Sequence, residues 1–106
     1  CPAGWRVPDG GLDGIWARAG FNDAVFDDTN KGVSFSIASP SVAWYPASGI
    51  RNIWDCGLGY VGVSGYYWSA SPCDIRAHVL RFDLSHCSPS DDEFRAVALS
   101  VRCAKE

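Results

Sequence analysis

Four residues in the second half of the chain, Cys73, His78, His86 and Cys87, are of types that ligate zinc. Their spacing matches no finger or ribbon, and adjacent His86 and Cys87 point to opposite faces of any extended segment. The run Asp27-Asp28-Thr29-Asn30-Lys31-Gly32 offers oxygens to calcium. An EF-hand loop requires an oxygen ligand at its fifth position and a glutamate at its twelfth, where this chain has Lys31 and Ala38. A solvated acidic turn is the favoured reading, as it is for Ser90-Asp91-Asp92-Glu93. No metal and no cofactor is therefore expected. No serine or cysteine stands in a recognisable nucleophile motif. Triads assemble in space rather than in sequence, so the expectation of a non-enzyme rests on the missing motif alone. Of the five tryptophans, Trp5, Trp16 and Trp68 read as core, and Trp54 reads as the exposed aromatic.

Five cysteines leave at least one without a partner inside the chain. Cys1 and Cys103 lie near the two ends, and domain termini often neighbour each other. Closing a loop of about 100 residues contributes roughly 4–5 kcal/mol in the chain-entropy model. A Cys1–Cys103 disulfide is expected, and with it an oxidising compartment; a pair of buried thiols in a cytosolic protein is the alternative. If the two late strands form a hairpin, Cys73 sits at its tip and Cys87 at its far end. Eight strand residues at about 3.3 Å each then hold them beyond bonding range. Cys56, ahead of the first of these strands, is within reach of Cys87, so a Cys56–Cys87 bridge is expected with Cys73 free.

The elements that position these residues follow from hydrophobic period. Leu12, Ile15, Trp16 and Ala19 fall at helical spacing and Gly20 closes the run, which predicts one short helix. "VSFSIA" (33–38) alternates as a strand, and "VAWYPASG" is a short extended piece. Residues 52–65 are glycine-rich without period and read as a long functional loop. Three strands are predicted after it. The first is Tyr66–Ser71. The second is Ala77–Leu84, with Leu80, Phe82 and Leu84 on one face. The third is Ala96–Cys103, with Leu99, Val101 and Cys103 inward. "SHCSPSDDEF" reads as the link between the last two. The fold class expected is α+β, a short helix plus a small twisted antiparallel sheet with much irregular loop.

A length of 106 residues bounds the chain to a single domain, 1–106. A net charge of −3 provides no basic face for phosphates, so nucleic acid is not an expected partner. No apolar run approaches the roughly 18 residues of a membrane span, so membrane insertion is not expected. The chain begins at Cys1 and carries no Met. It reads as a processed chain or the C-terminal part of a longer protein, with any targeting segment outside it.

The blocks "CPAGWRVP", "WYPASGIRN", "GYYWSASP", "AHVLRF", "SPSDDEFRA" and "LSVRC" resemble the major paralogous domain of Fibrobacter and Bacteroidetes surface proteins. That family is similar to the formylglycine-generating-enzyme branch of the C-type lectin fold. The resemblance runs from Cys1 to Cys103, and "YYWSAS" and "SVRC" are its most specific parts. It implies a C-type-lectin-like fold with neighbouring termini.

A narrower resemblance is to the variable proteins of diversity-generating retroelements. In these an error-prone reverse transcriptase rewrites adenines, so that AAC-type asparagine codons scatter into many residue types. The corresponding positions here hold Ile53, Asp55, Cys56, Gly59, Tyr60 and Val63, then Cys73, Asp74, Ile75, Arg76, His78, Val79, Arg81, Asp83, His86 and Cys87, then Ser88, Asp91, Asp92, Phe94 and Val97. Trp54 and Glu93 are not reachable by adenine changes, and strand parity turns Val97 inward. The resemblance implies ligand contact through Ile53, Asp55, Tyr60, Val63, Asp74, Ile75, Arg76, His78, Val79, Arg81, Asp83, His86, Ser88, Asp91, Asp92 and Phe94. The enzymatic branch's catalytic cysteine pair has no counterpart here, and the calcium and sugar motifs of true C-type lectins are absent.

The expected function is a non-catalytic, ligand-binding display domain. Its hypervariable surface meets a protein or cell-surface ligand, and it sits extracellularly, on a cell surface or on a phage particle. The alternatives are a fixed-specificity adhesin or pilus-tip module and a formylglycine-generating-enzyme-like oxidase.

Overall fold

From Cys1 to Glu106, all of which the computed structural model describes, the backbone forms ten strands and very little helix. In chain order these are β1 (Trp5–Arg6), α1 (Ile15–Arg18), a 3-10 turn (Phe21–Asp23), β2 (Phe26–Asp27), β3 (Gly32–Phe35), β4 (Ala43–Pro46) and β5 (Ile50–Arg51). They continue with β6 (Leu58–Gly59), β7 (Ser64–Cys73), β8 (Arg76–Asp83), β9 (Cys87–Phe94) and β10 (Ala104–Lys105). The strands pair antiparallel in four sheets, β1-β10, β2-β3-β4, β5-β6 and β7-β8-β9.

The core forms where β7 and β8 turn their apolar sides toward the β2-β3-β4 sheet. Alternation along β8 places Leu80 and Phe82 on that side, with Tyr67 and Gly65 opposite them on β7. Gly65 pairs with Phe82, and a Cβ at residue 65 would enter the Phe82 ring. The phenyl group therefore occupies the space that a side chain at 65 would need. From there it reaches Tyr67 and Phe21, each at a centroid distance of 6.1 Å, and Phe26 at 6.2 Å. Phe21 in turn lies 4.4 Å from Phe35 and meets Tyr45 edge-on at 5.6 Å.

Two hydrogen bonds tie the layers together. Trp16 Nε1 donates to Tyr45 Oη (3.3 Å), and Tyr67 Oη donates to the Pro46 carbonyl (2.7 Å). The aromatic rings thus pack at tilted and edge-on angles, with Tyr67 stacked on Phe82, and Trp16 and Tyr67 are pinned by their polar tips.

Several expectations are corrected. The chain is not α+β: 43% of it is strand and 7% helical, which makes it mostly β. The predicted helix shrinks to the four residues of α1, and Leu12, expected on its apolar face, is 83% exposed. Gly10, Gly11 and Gly14 leave too little helix propensity to start a longer run, and Gly14 caps α1 with no side-chain hydrogen bond.

The third strand of the main sheet is not Ala96–Cys103. It is β9, within the segment read as a link. Ala96–Cys103 instead runs beside the sheet, held by isolated bridges of Ala98 to Arg51 and Ser100 to Tyr67, with Val101 exposed. β9 escaped recognition because it has almost no apolar alternation. It is held by its backbone ladder to β8 and by cross-strand charge, Arg76 to Asp92 at 3.0 Å and Arg81 to Asp91 at 3.5 Å. A register shift in β9 between the partners of Val79 and Arg81 allows Cys87 to face the core while Asp91 faces out.

Smaller differences share one cause, that short strands end where pairing ends. β3 stops at Phe35 and leaves Ile37 exposed; Leu84 lies past the end of β8 and is exposed. Trp5, expected in the core, is exposed on β1. The termini meet as expected: Cys1 and Cys103 are disulfide-bonded with Cα atoms 5.7 Å apart, and β1 pairs with β10 beside them.

The contact between Gly65 and Phe82 yields a direct test. Gly65→Ala is expected to destabilise the domain by about 2–3 kcal/mol, the cost of overpacking a closed core. Urea denaturation followed by tyrosine and tryptophan fluorescence measures it, and a loss under about 0.5 kcal/mol contradicts the packing described.

Candidate ligand-binding face

Regular alternation along β8 divides the expected contact residues between the two sides of the sheet. Arg81 and Asp83 lie on the side away from the aromatic core, with Tyr66 of β7 and Ser88 of β9 opposite Arg81 in register. The Arg81 guanidinium stands 5.6 Å above the Tyr66 ring and pairs with Asp83 (3.6 Å) and Asp91 (3.5 Å). Arg76 and His78 lie on the other side, beyond the end of the core. Arg76 stacks on Phe94 at 4.1 Å and pairs with Asp92 at 3.0 Å. His78 packs against Gly10 and Gly11, and its Nδ1 lies 3.3 Å from the Asp91 carbonyl.

Asp83 is committed to structure. Burial opposes its ionisation, but bonds from the Ser85 hydroxyl and the Ser85 and His86 amides, together with the nearby His86, outweigh this and hold its carboxyl below the usual range. The result is a fixed turn that presents His86 outward.

Two further segments project from the sheet. The β7–β8 turn is Asp74-Ile75, between the paired residues Cys73 and Arg76. Asp74 holds φ +56°, and Ile75 at the apex is 79% exposed. Arg95 clamps this tip by donating to the Asp74 and Arg76 carbonyls at 3.0 Å.

The second segment, 52–63, lies within the 52–65 stretch read as irregular loop; it is interrupted by β6 and is closely bonded, and β7 already begins at Ser64. The Asn52 side-chain oxygen accepts from the Trp54 and Asp55 amides (3.0 and 3.1 Å), Asp55 accepts from the Gly57 amide (2.7 Å), and Arg51 donates to the Cys56 carbonyl. The Tyr60 carbonyl accepts from the Val63 and Ser64 amides, both at 2.9 Å. Cys56 and Tyr60 hold φ +57° and +60°.

The expected contact residues therefore have different fates. Asp55, Tyr60, Val63, Asp74, Ile75, His86 and Phe94 are exposed; Ile53, Arg76, His78, Arg81, Asp83, Ser88, Asp91 and Asp92 are half-buried. Val79 is corrected: it is 0% exposed, opposite Trp68 and Asp91 in register, and presents no surface for contact. The Cys56–Cys87 bridge is corrected too. Cys56 is a free thiol on the outer loop, whereas Cys87 is buried in the core with its sulfur 3.2 Å from the Ala24 carbonyl. Burial pushes the Cys87 thiol up, with the Asp83 charge adding to it. Trp54 stands outside the expected set, yet it is 87% exposed on the bonded loop; its place in a glycine-flanked segment without period is the signal that marks it.

The acidic run near residue 27 is a self-satisfied turn. Asp27 accepts from the Asn30 side chain and from the Asn30 and Thr29 amides, and Lys31 pairs with Asp28 at 2.6 Å. No three His, Cys, Asp or Glu residues approach closely enough to hold a metal ion, and no helix is long and apolar enough to cross a membrane. No protein-family model, curated protein or solved structure matches the chain significantly.

Two outcomes are expected from this geometry. A bulky side chain at φ +60° carries strain of about 1 kcal/mol or more, and asparagine relieves much of it. Tyr60→Asn is thus expected to raise stability by about 1 kcal/mol in chemical denaturation. Asp83 has a folded pKa below its unfolded value, so its stabilisation is present above about pH 4 and is lost as pH falls through the folded value. The stability gap between wild type and Asp83→Asn should accordingly narrow from pH 7 to pH 3, and an unchanged gap contradicts the bonding assigned to Asp83.

Proposed function

We propose that the chain is a non-catalytic display domain that binds a protein or cell-surface ligand through the Trp54–Val63 loop, the Asp74-Ile75 tip and the outward residues of β8 and β9. On this reading it is a variable protein of the kind its sequence resembles, and it works outside the cytoplasm. The Cys1–Cys103 disulfide supports an oxidising location.

One observation carries the reading. Four residues other than glycine hold a left-handed backbone, Lys31, Cys56, Tyr60 and Asp74, and the last three fall at positions expected to vary. Among side-chain-bearing residues asparagine is especially suited to that conformation. Cysteine, tyrosine and aspartate are each reachable from an AAC asparagine codon by adenine changes alone. A backbone suited to asparagine but filled by three of its adenine-derived replacements is what diversification of an asparagine template produces.

The scaffold also suits the task. The loop and the tip are fixed by bonds to main-chain carbonyls and amides or to Asn52, Asp55 and Arg95, leaving Tyr60, Ile75, His86 and Phe94 free to change. Exposed aromatic and charged groups on a rigid frame provide both anchor and polar contacts at low ordering cost.

A second reading is a surface module of fixed specificity. Trp54 favours it, since the most exposed aromatic of the face is not adenine-derived. Sequencing many copies from one population separates the two. Diversification predicts substitutions concentrated at Cys56, Tyr60, Asp74, Ile75, Arg76 and Phe94, with Gly65, Tyr67, Leu80 and Phe82 constant. Fixed specificity predicts the first set to be invariant. A variant carrying Ile75→Ser and His86→Ser together should remain folded, with each change costing under about 0.5 kcal/mol in a denaturation series.

A further inference from the structure

A groove of about 580 Å³ lies between β3, β4, α1 and the paired terminal strands. None of its lining residues belongs to the proposed ligand face. Its floor is formed by Trp16 and Tyr45, both buried, and its walls include Trp5, Phe35, Ile37 and Val42, of which all but Phe35 are exposed. The volume falls within the range of small-molecule sites.

Charge gives the groove its selectivity. No Asp or Glu lines it, while Arg102 and Lys105 do. Arg6, Lys31, Arg76 and Arg81 are paired with carboxylates elsewhere in the molecule, whereas Arg102 and Lys105, like Arg18, Arg51 and Arg95, have no such partner. The Arg102 guanidinium is nevertheless held in place. It donates to the Trp44 carbonyl at 2.7 Å and lies 4.6 Å over the Tyr45 ring, which leaves other N–H groups unused. A chain of net charge −3 thus sets two uncompensated cations against an apolar cleft.

We propose that this groove binds a small amphiphilic monoanion, an aryl or short alkyl carboxylate. Its apolar body lies on Trp5, Ile37 and Val42, and its acid group meets Arg102 and Lys105. An anion is favoured over a neutral ligand of the same shape because the guanidinium is already oriented and loses little freedom on pairing.

The test uses the whole chain, labelled with 15N, and two probes that share a phenyl body and carbon count but end in an anionic carboxylate or a neutral hydroxyl, 4-phenylbutyrate and 4-phenylbutan-1-ol. Phenylbutyrate is expected to shift the indole N–H signals of Trp5 and Trp16 and the amides of Arg102 and Lys105, and to leave Trp54 unmoved. The alcohol should bind at least about threefold more weakly, the scale of a partly exposed ion pair. Lys105→Gln should reduce that preference while sparing the alcohol. Val42→Asp, at the exposed lip, should weaken phenylbutyrate by about tenfold through lost apolar contact together with like-charge repulsion, and should weaken the alcohol by less. The proposal is overturned by no shift at millimolar phenylbutyrate, by equal affinity for acid and alcohol, or by shifts centred on Trp54.

Discussion

The absence of a side chain at residue 65 is the constraint on which the rest of the structure depends. It lets the Phe82 ring lie against the β7 backbone, and from that position the ring touches Tyr67, Phe21 and Phe26. Those contacts join the long three-stranded sheet to the shorter β2-β3-β4 sheet without any helix of useful length between them. Tyr45 and Tyr67 complete the join edge-to-face at 5.4 Å. A domain of this size has few residues to spare for a core, and this one uses rings, which bury the most area per residue.

Concentrating the core in a few aromatic residues frees the opposite edges. β9 contributes Cys87 to the core, and its other residues, mostly polar, are half-buried or, at Phe94, exposed. Its attachment relies on main-chain bonds and on arginines reaching from β8, neither of which demands a particular apolar sequence. The loop after β5 and the tip after β7 follow the same rule, with polar atoms of the chain holding its own backbone. A few polar side chains there, among them Asn52, Asp55 and Arg95, hold the backbone, and exposed neighbours such as Ile75 carry little responsibility for folding, a physical precondition for a surface that changes.

How much of this was legible beforehand depended on whether apolar period was the deciding force. Leu80 and Phe82 alternate cleanly and lie in the core as that alternation implies, and the disulfide follows from where Cys1 and Cys103 stand. β9 was hidden because "SPSDDEF" carries a turn-like composition, and only the neighbouring strand makes it extended. Ala96–Cys103 shows the converse: its alternation suggests a strand, but only Ala98 and Ser100 find partners, since β9 already occupies the free edge of β8. Leu12 and Ile15 suggested a longer helix, which the surrounding glycines stop. At the face, exposure of Ile75 and Tyr60 followed from their irregular surroundings. The burial of Val79 did not, because both sides of the sheet are covered at its middle and alternation reports only one.

The joined ends have a mechanical consequence. Tension applied between the two termini passes from Cys1 through the disulfide to Cys103, so the strands enclosed by that link carry almost none of it and only β10, which lies beyond Cys103, is loaded. Under reducing conditions the same pull would first peel β1 from β10, a two-residue pairing, and then reach the sheets. Oxidised, the domain lengthens by no more than the short tail after Cys103, and the enclosed strands are deformed by a load arriving through their side surface.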